Sequence, residues 1–256
     1  MLRWIKMFAE DFDSLYGSYL DLVKDTLSMA VCRARLTVSV TSDSSHTPTS
    51  VIELIPEGIG CPEYASYSAG LPKKTAVVIP APVGYSAQAF SAGEYDSRMR
   101  VAATMISYGF LWNEVRVKGG AYGTGFRVRR NGSVGTYSYR DPSPEKSIGT
   151  NKNIGEFLRQ LADSGQKFDG FIISAIADLD PLMSPLEMGA SADNDWFTGF
   201  TRDDAVEERG KMLDITAEDV RQIADLTDRL ASQAPYCIVA GESLITDKES
   251  VEIIKI

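Results

Sequence analysis

The sequence predicts an α+β fold: a mainly antiparallel sheet packed against helices. Three observations carry this. Two alternating segments, 121–129 and 133–139, flank Asn131-Gly132, the favoured chemistry of a tight β-hairpin turn. Helices with recognisable starts follow the hairpin. The apolar run Tyr236-Cys237-Ile238-Val239-Ala240 then returns as a strand that closes at Gly241. A hairpin, a run of helices and a returning strand is the order expected of an α+β domain.

The remaining elements are read from the N-terminus. Leu2, Ile5, Phe8, Phe12, Leu15, Tyr19, Leu22, Val23 and Leu27 recur at helical spacing, so residues 1–30 predict a long amphipathic helix or a helix pair, with Gly17 as the candidate break. Leu36–Val40 is rich in β-branched residues and reads as a strand; 41–50 is polar and loop-like; Val51–Ile55 fits either helix or strand. Gly58, Gly60, Pro62 and Gly70 fall in a connector from Pro56 to Pro72, the best candidate for a domain boundary. Thr75–Ile79 is almost continuously apolar and predicts an interior strand, ended by Pro80 and Pro82. Residues 94–112 predict a helix. In the hairpin, Tyr122, Thr124, Phe126 and Val128 share one face, and Gly123, Gly125, Arg127 and Arg129 the other. One helix is expected from Ser143-Pro144 to Gly165, a second from Thr201 with Asp204 in a capping box, a third from Thr216 with Asp219.

Composition narrows the function. The chain has 256 residues, 44% hydrophobic and 24% charged, enough for one large domain or two small ones. No apolar run reaches the eighteen or so residues of a membrane span, so no membrane role is expected. Arg3, Lys6, Glu10, Asp11 and Asp13 interrupt any apolar core of a signal peptide. The net charge of -9 repels phosphate backbones, and no nucleic-acid partner is expected; Arg127, Arg129 and Arg130 form the clearest local basic patch. Cys32, Cys61 and Cys237 are odd in number and widely spaced, which points to a reducing, cytoplasmic setting. The only histidine, His46, sits in a polar stretch read as surface loop. Two-histidine zinc motifs are therefore impossible within this chain. The glycine run 119–125 lacks the Gly-Lys-Ser/Thr ending of a phosphate-binding loop and leads into a strand, so it reads as a structural turn. Asp193, Asp195, Asp203 and Asp204 read as a solvated acidic face.

The most informative stretch is Leu111-Trp112-Asn113-Glu114-Val115-Arg116-Val117-Lys118-Gly119-Gly120-Ala121-Tyr122-Gly123, followed after the hairpin by Ser138-Tyr139-Arg140-Asp141-Pro142. Over residues 71–256 this resembles the last domain of the insulinase (pitrilysin) family of zinc peptidases, and is most similar to the presequence-protease branch. The resemblance implies an insulinase-type (metallopeptidase/LuxS-like) domain at 75–256, a linker at 61–74, and at 1–60 the tail of a preceding homologous domain. It implies a clamshell of two halves, with zinc held by an H-x-x-E-H helix and a distal glutamate in the N-terminal half. This chain would bind no metal, and its partners would be that N-terminal half and unfolded peptides. The resemblance makes Arg116 and Tyr122 the residues that reach the active site, with Gly119, Gly120 and Ala121 alongside them in substrate binding. A phenol aimed at a carbonyl oxygen can stabilise its developing charge, and a guanidinium can bind carbonyls or carboxylates through its planar fork. Met1 is then expected to open a piece of a longer polypeptide, inactive alone and prone to self-association through an uncovered apolar face. The alternatives are a metal-free scaffold or substrate-binding subunit of the same family, and an unrelated small-molecule enzyme built on the glycine turn. Taken singly, Tyr122 reads as a half-buried strand tyrosine, Arg116 as a surface charge, and Tyr139-Arg140-Asp141 as a structural ion pair beside a helix start.

Overall fold

A computed structural model describes residues 2–43, 49–58 and 74–255. In chain order it contains helices α1 (Leu2–Glu10), α2 (Phe12–Ala30) and α3 (Thr49–Glu53), strands β1 (Lys74–Val78) and β2 (Gly84–Ser91), and helix α4 (Arg98–Thr104), which runs into a π-helix (Met105–Val117). Strands β3 (Gly123–Val128) and β4 (Ser133–Asp141) follow, then helices α5 (Pro144–Thr150), α6 (Ile154–Asp163), α7 (Asp169–Ala177), α8 (Pro185–Thr198), α9 (Arg202–Leu213) and α10 (Ala217–Gln233), and strands β5 (Tyr236–Ala240) and β6 (Glu252–Lys255). The chain divides into two compact units, residues 1–70 with 182–200 and residues 71–181 with 201–256. His46, Cys61 and all of the expected linker except Lys74 lie outside the described residues.

The smaller unit is helical. The helix pair breaks at Asp11, which leaves helical geometry at φ -129°, and Gly17 lies inside α2. Trp4, Phe8 and Tyr19 cluster with ring centroids 4.9–5.8 Å apart, which sets α1 against α2. Leu36–Val40 is not a strand: no ladder partner for it exists among the described residues, and β-propensity without a neighbour makes no sheet. The stretch at 51–55 begins inside the short helix α3. Helix α8 opens with Pro185 at its first position and a full capping box between Ser184 and Glu187.

The larger unit carries a six-stranded sheet in the order β3-β4-β2-β5-β1-β6. The pairs β3–β4, β4–β2 and β2–β5 are antiparallel; β5–β1 and β1–β6 are parallel. The α+β expectation holds, and β1 is the interior strand its apolar run predicts. The main core joins Val101, Met105, Ile106, Leu111 and Val115 to Phe126, Val134, Leu158 and Leu230. Strand β2 buries Ser86 and Gln88. Ser86 Oγ lies 2.7 Å from Ser138 Oγ, and Gln88 donates to the Ala231 and Ala234 carbonyls at 3.4 and 3.2 Å. Asn151 completes the network, donating to Gln88 Oε1 at 2.9 Å and Thr136 Oγ1 at 2.7 Å. This explains why the helix expected over 143–165 is two: a 3-10 turn at Asn151–Asn153 points the asparagine at the sheet between α5 and α6. The Thr201/Asp204 and Thr216/Asp219 capping boxes form as predicted. The hairpin loop is the three residues 130–132, between the two segments read as strands. Arg129 pairs with Ser133, the Gly132 N–H closes onto the Arg129 carbonyl at 3.0 Å, and Gly132 takes φ 78°, so the glycine serves as a bulge after the turn.

Candidate functional site

The site grows out of the end of the π-helix. Its wide turn is seen where the Lys118 N–H donates to the Asn113 carbonyl, five residues back, at 2.9 Å. The chain then leaves the helix through Gly119-Gly120-Ala121. Gly120 adopts φ 80°, the left-handed geometry that ends helices. Its N–H donates to the Arg116 carbonyl at 2.9 Å, and the Ala121 N–H to the Val115 carbonyl at 3.1 Å. At Gly119 a Cβ would stand 2.4 Å from the Val115 carbonyl oxygen, so no larger residue fits this turn without moving backbone. Ala121 is buried and anchors the turn in the core.

The turn brings Arg116 and Tyr122 together. The Arg116 guanidinium lies 4.0 Å from the Trp112 ring and 5.9 Å from the Tyr122 ring. Tyr122 is 58% exposed, more open than a half-buried strand tyrosine. The Arg140 guanidinium stands 5.6 Å from the same ring, and Tyr139 meets it edge-on at 5.6 Å. Arg140 adopts φ 47°, and its carbonyl accepts the Tyr122 N–H at 3.3 Å. The expected ion pair in Tyr139-Arg140-Asp141 is not formed. Arg140 faces the Tyr122 ring, while buried Asp141 accepts the Ser143 N–H at 2.8 Å, just before α5. Neighbouring residues at a strand end point to opposite sides, which separates the two charges.

Beside this pair lies a cleft of about 500 Å³, lined by Arg100, Tyr108, Trp112, Arg116, Arg127, Arg129, Tyr137, Tyr139 and Asp178, among others. Its floor depends on missing side chains. A Cβ at Gly123 would meet Tyr139 Cε1 at 2.1 Å, and one at Gly125 would meet Tyr137 Oη at 2.9 Å. The two tyrosine rings of β4 therefore lie across β3. The Arg127 guanidinium sits 5.0 Å from the Tyr137 ring. At the cleft wall, Arg100 Nε donates to Tyr95 Oη at 2.6 Å, and burial pushes the Tyr95 phenol above its usual pKa. Sequence reasoning missed Trp112, Arg100 and Tyr137 as site residues. The Trp112/Arg116 spacing of four was the one available signal; the others are assembled by strand register and helix packing.

The sequence holds one histidine, and among the described residues no group of three or more His, Cys, Asp or Glu converges. No helix among them is long and apolar enough to cross a membrane.

The six-stranded mixed sheet and its helices have counterparts among solved structures. In fold alone, the chain is similar to a peptidase M16 inactive domain from Pseudomonas fluorescens, with a TM-score of 0.51, 14% identity, and coverage of 75% of this chain and 48% of that one. Residues 74–243 match the family described as the PreP C-terminal domain, and the chain belongs to that family. Presequence protease 1, chloroplastic/mitochondrial, of Arabidopsis thaliana is 28% identical over 92% of this chain and 22% of its own length. The mitochondrial presequence protease of Saccharomyces cerevisiae is 33% identical over 60% of this chain and 16% of its own. Protein HypA of Clostridium perfringens is 27% identical over 62% and 16%. The chain thus spans about a fifth or less of the length of these curated relatives.

Proposed function

We propose that this chain is the C-terminal, non-zinc half of a zinc-dependent endopeptidase for unfolded peptides, in which Arg116 and Tyr122 contact the scissile carbonyl. One observation carries this. The Gly119-Gly120-Ala121 turn sets an exposed phenol and a guanidinium side by side, and among the described residues no hydrogen bond or ion pair occupies either group. Their donors are available to a substrate. As a peptide carbonyl is attacked, its oxygen gains negative charge, which a phenol O–H and a planar guanidinium can stabilise. The stack on Trp112 fixes Arg116 without consuming its N–H groups. Gly119, Gly120 and Ala121 present backbone beside the pair, where a substrate can approach closely. In this reading zinc belongs to the N-terminal half, which is the partner. A cytoplasmic setting remains part of the reading, on the strength of the three widely spaced cysteines.

The test uses the full-length peptidase that contains this chain and an unstructured fluorogenic peptide. Tyr122→Phe should lower turnover by about 100- to 1000-fold, as loss of one oxyanion donor does. The exposed ring is retained, so the melting temperature should not move. Wild-type turnover in the variant would remove Tyr122 from the chemistry and leave the chain as a scaffold or substrate-binding subunit.

A further inference from the structure

The arginines of the cleft outnumber its acids four to one: Arg100, Arg116, Arg127 and Arg129 against Asp178. This is notable in a chain with 35 acidic and 26 basic residues. Several arginines elsewhere pair with carboxylates. Arg98 pairs with Asp96 and Asp219, Arg159 with Asp225 and Asp228, and Arg221 with Asp163 and Glu218. The contrast is sharpest in the hairpin loop. Arg130 donates to both carboxylate oxygens of Glu208, at 2.8 and 3.1 Å. Its neighbours Arg127 and Arg129 make no ion pair among the described residues, and neither does Arg100.

We propose that Arg127 and Arg129, with Arg100 behind them, form a subsite for acidic side chains of a bound peptide. The proposal rests on the peptide-clamping function above and adds a specificity to it. Arg127 in β3 and Arg129 one residue past its end both line the cleft, about 7 Å apart along the chain. Both are exposed, so a ligand can reach them without rearrangement. Packing against the Tyr137 ring holds Arg127 in place and leaves its planar N–H edge to receive a carboxylate in the two-pronged geometry that arginine favours. Arg100 uses Nε on Tyr95, which leaves its terminal N–H groups for a ligand. Arginines beside aromatic faces also suit single-stranded nucleic acid. The net charge of -9 opposes a long polyanion, whereas a short peptide carrying one or two carboxylates meets only the local field.

The test titrates the full-length peptidase that contains this chain, inactivated with a chelator, by calorimetry with two unstructured ten-residue peptides that differ only in a central Glu-Glu or Gln-Gln pair. The Glu peptide should bind about tenfold tighter, the size expected of two solvent-exposed ion pairs, and high salt should narrow the gap. In the double variant Arg127→Gln, Arg129→Gln the gap should vanish while the Gln peptide binds as before. Arg127→Glu should shift preference toward a Lys-Lys peptide. Equal binding of the two peptides by wild type overturns the subsite and leaves the clamp standing. Binding of neither at millimolar concentration overturns both. A ten-nucleotide oligothymidine that binds more tightly than the Glu peptide overturns the subsite in favour of nucleic acid.

Discussion

Replacing Gly119 by alanine tests whether the turn that joins Arg116 to Tyr122 is built as described. A Cβ at Gly119 would lie 2.4 Å from the Val115 carbonyl oxygen and 3.1 Å from that of Glu114. Ordinary carbon–oxygen contacts are about 3.3 Å or longer. Every atom it meets is backbone, so no rotamer change relieves the clash. Relief requires the last turn of the π-helix to open, at the expense of one or two of the bonds Lys118–Asn113, Gly120–Arg116 and Ala121–Val115. Each contributes about 0.5–1.5 kcal/mol net. Alanine recovers about 0.4–1 kcal/mol by restricting the unfolded chain. The balance is a loss of about 1 kcal/mol, and of no more than about 2.5 kcal/mol if two bonds are given up. Gly123→Ala is the control. The atoms nearest its Cβ all belong to the side chain of Tyr139, which is 38% exposed and free to swing outward. That change should cost less than about 1 kcal/mol while breaking the Tyr122–Tyr139 contact. Urea unfolding followed by Trp112 fluorescence, with Trp4 and Trp196 replaced by phenylalanine, reads the larger unit alone. Amide hydrogen exchange at Lys118, Gly120 and Ala121 should accelerate in Gly119→Ala. Unchanged exchange at these amides, or an equal loss in both variants, would refute the account of the turn.

Two further predictions concern the frame. The Arg98 guanidinium beside Asp96 holds its carboxyl below the usual aspartate range. Stability from this shift is complete above the unfolded pKa of about 3.9 and is lost as pH falls through the lower folded value. Asp96→Asn should therefore cost under about 1 kcal/mol at pH 7, since the pair is a third exposed, and progressively less on acidification; a difference constant from pH 7 to pH 2 would sink this. Asn151→Leu should destabilise by about 1–3 kcal/mol, because it strands the buried Gln88 Oε1 without a donor; an unchanged thermal midpoint would count against the network.

What was legible in the sequence follows from the range of the interactions involved. The caps at Thr201 and Thr216 are contacts over three residues, and they formed as read. Helix α8 carries the same signal in Ser184-Pro185 and Glu187, but its weak apolar periodicity leaves that cap without a helix pattern behind it. Strand β2 was hidden for a different reason. Its buried face is Gly84, Ser86 and Gln88, which no hydrophobic alternation reveals, because partners on β4, the 3-10 turn and the end of α10 satisfy the polar groups. The π-helix left no mark that separates it from an ordinary helix. Leu36–Val40 shows the converse: strand composition with no neighbour to pair with among the described residues.

The site divides along the same line. Arg116 and Tyr122 are six residues apart and are joined by a turn that only glycine permits at Gly119, so a local motif was enough to pair them. The cleft floor depends on register between two strands. Gly123 lies opposite Tyr139, Gly125 opposite Tyr137, and Arg127 opposite Gly135. Each large side chain faces a glycine, and a Cβ at Gly135 would meet the Gln88 carbonyl at 2.6 Å. A slip of one residue would move the rings to the buried face and take Arg127 off Tyr137. The bulge at Gly132 fixes that register. A glycine in the loop thus sets the register on which both the Arg127–Tyr137 contact and the Gly123–Tyr139 pairing beside Tyr122 depend.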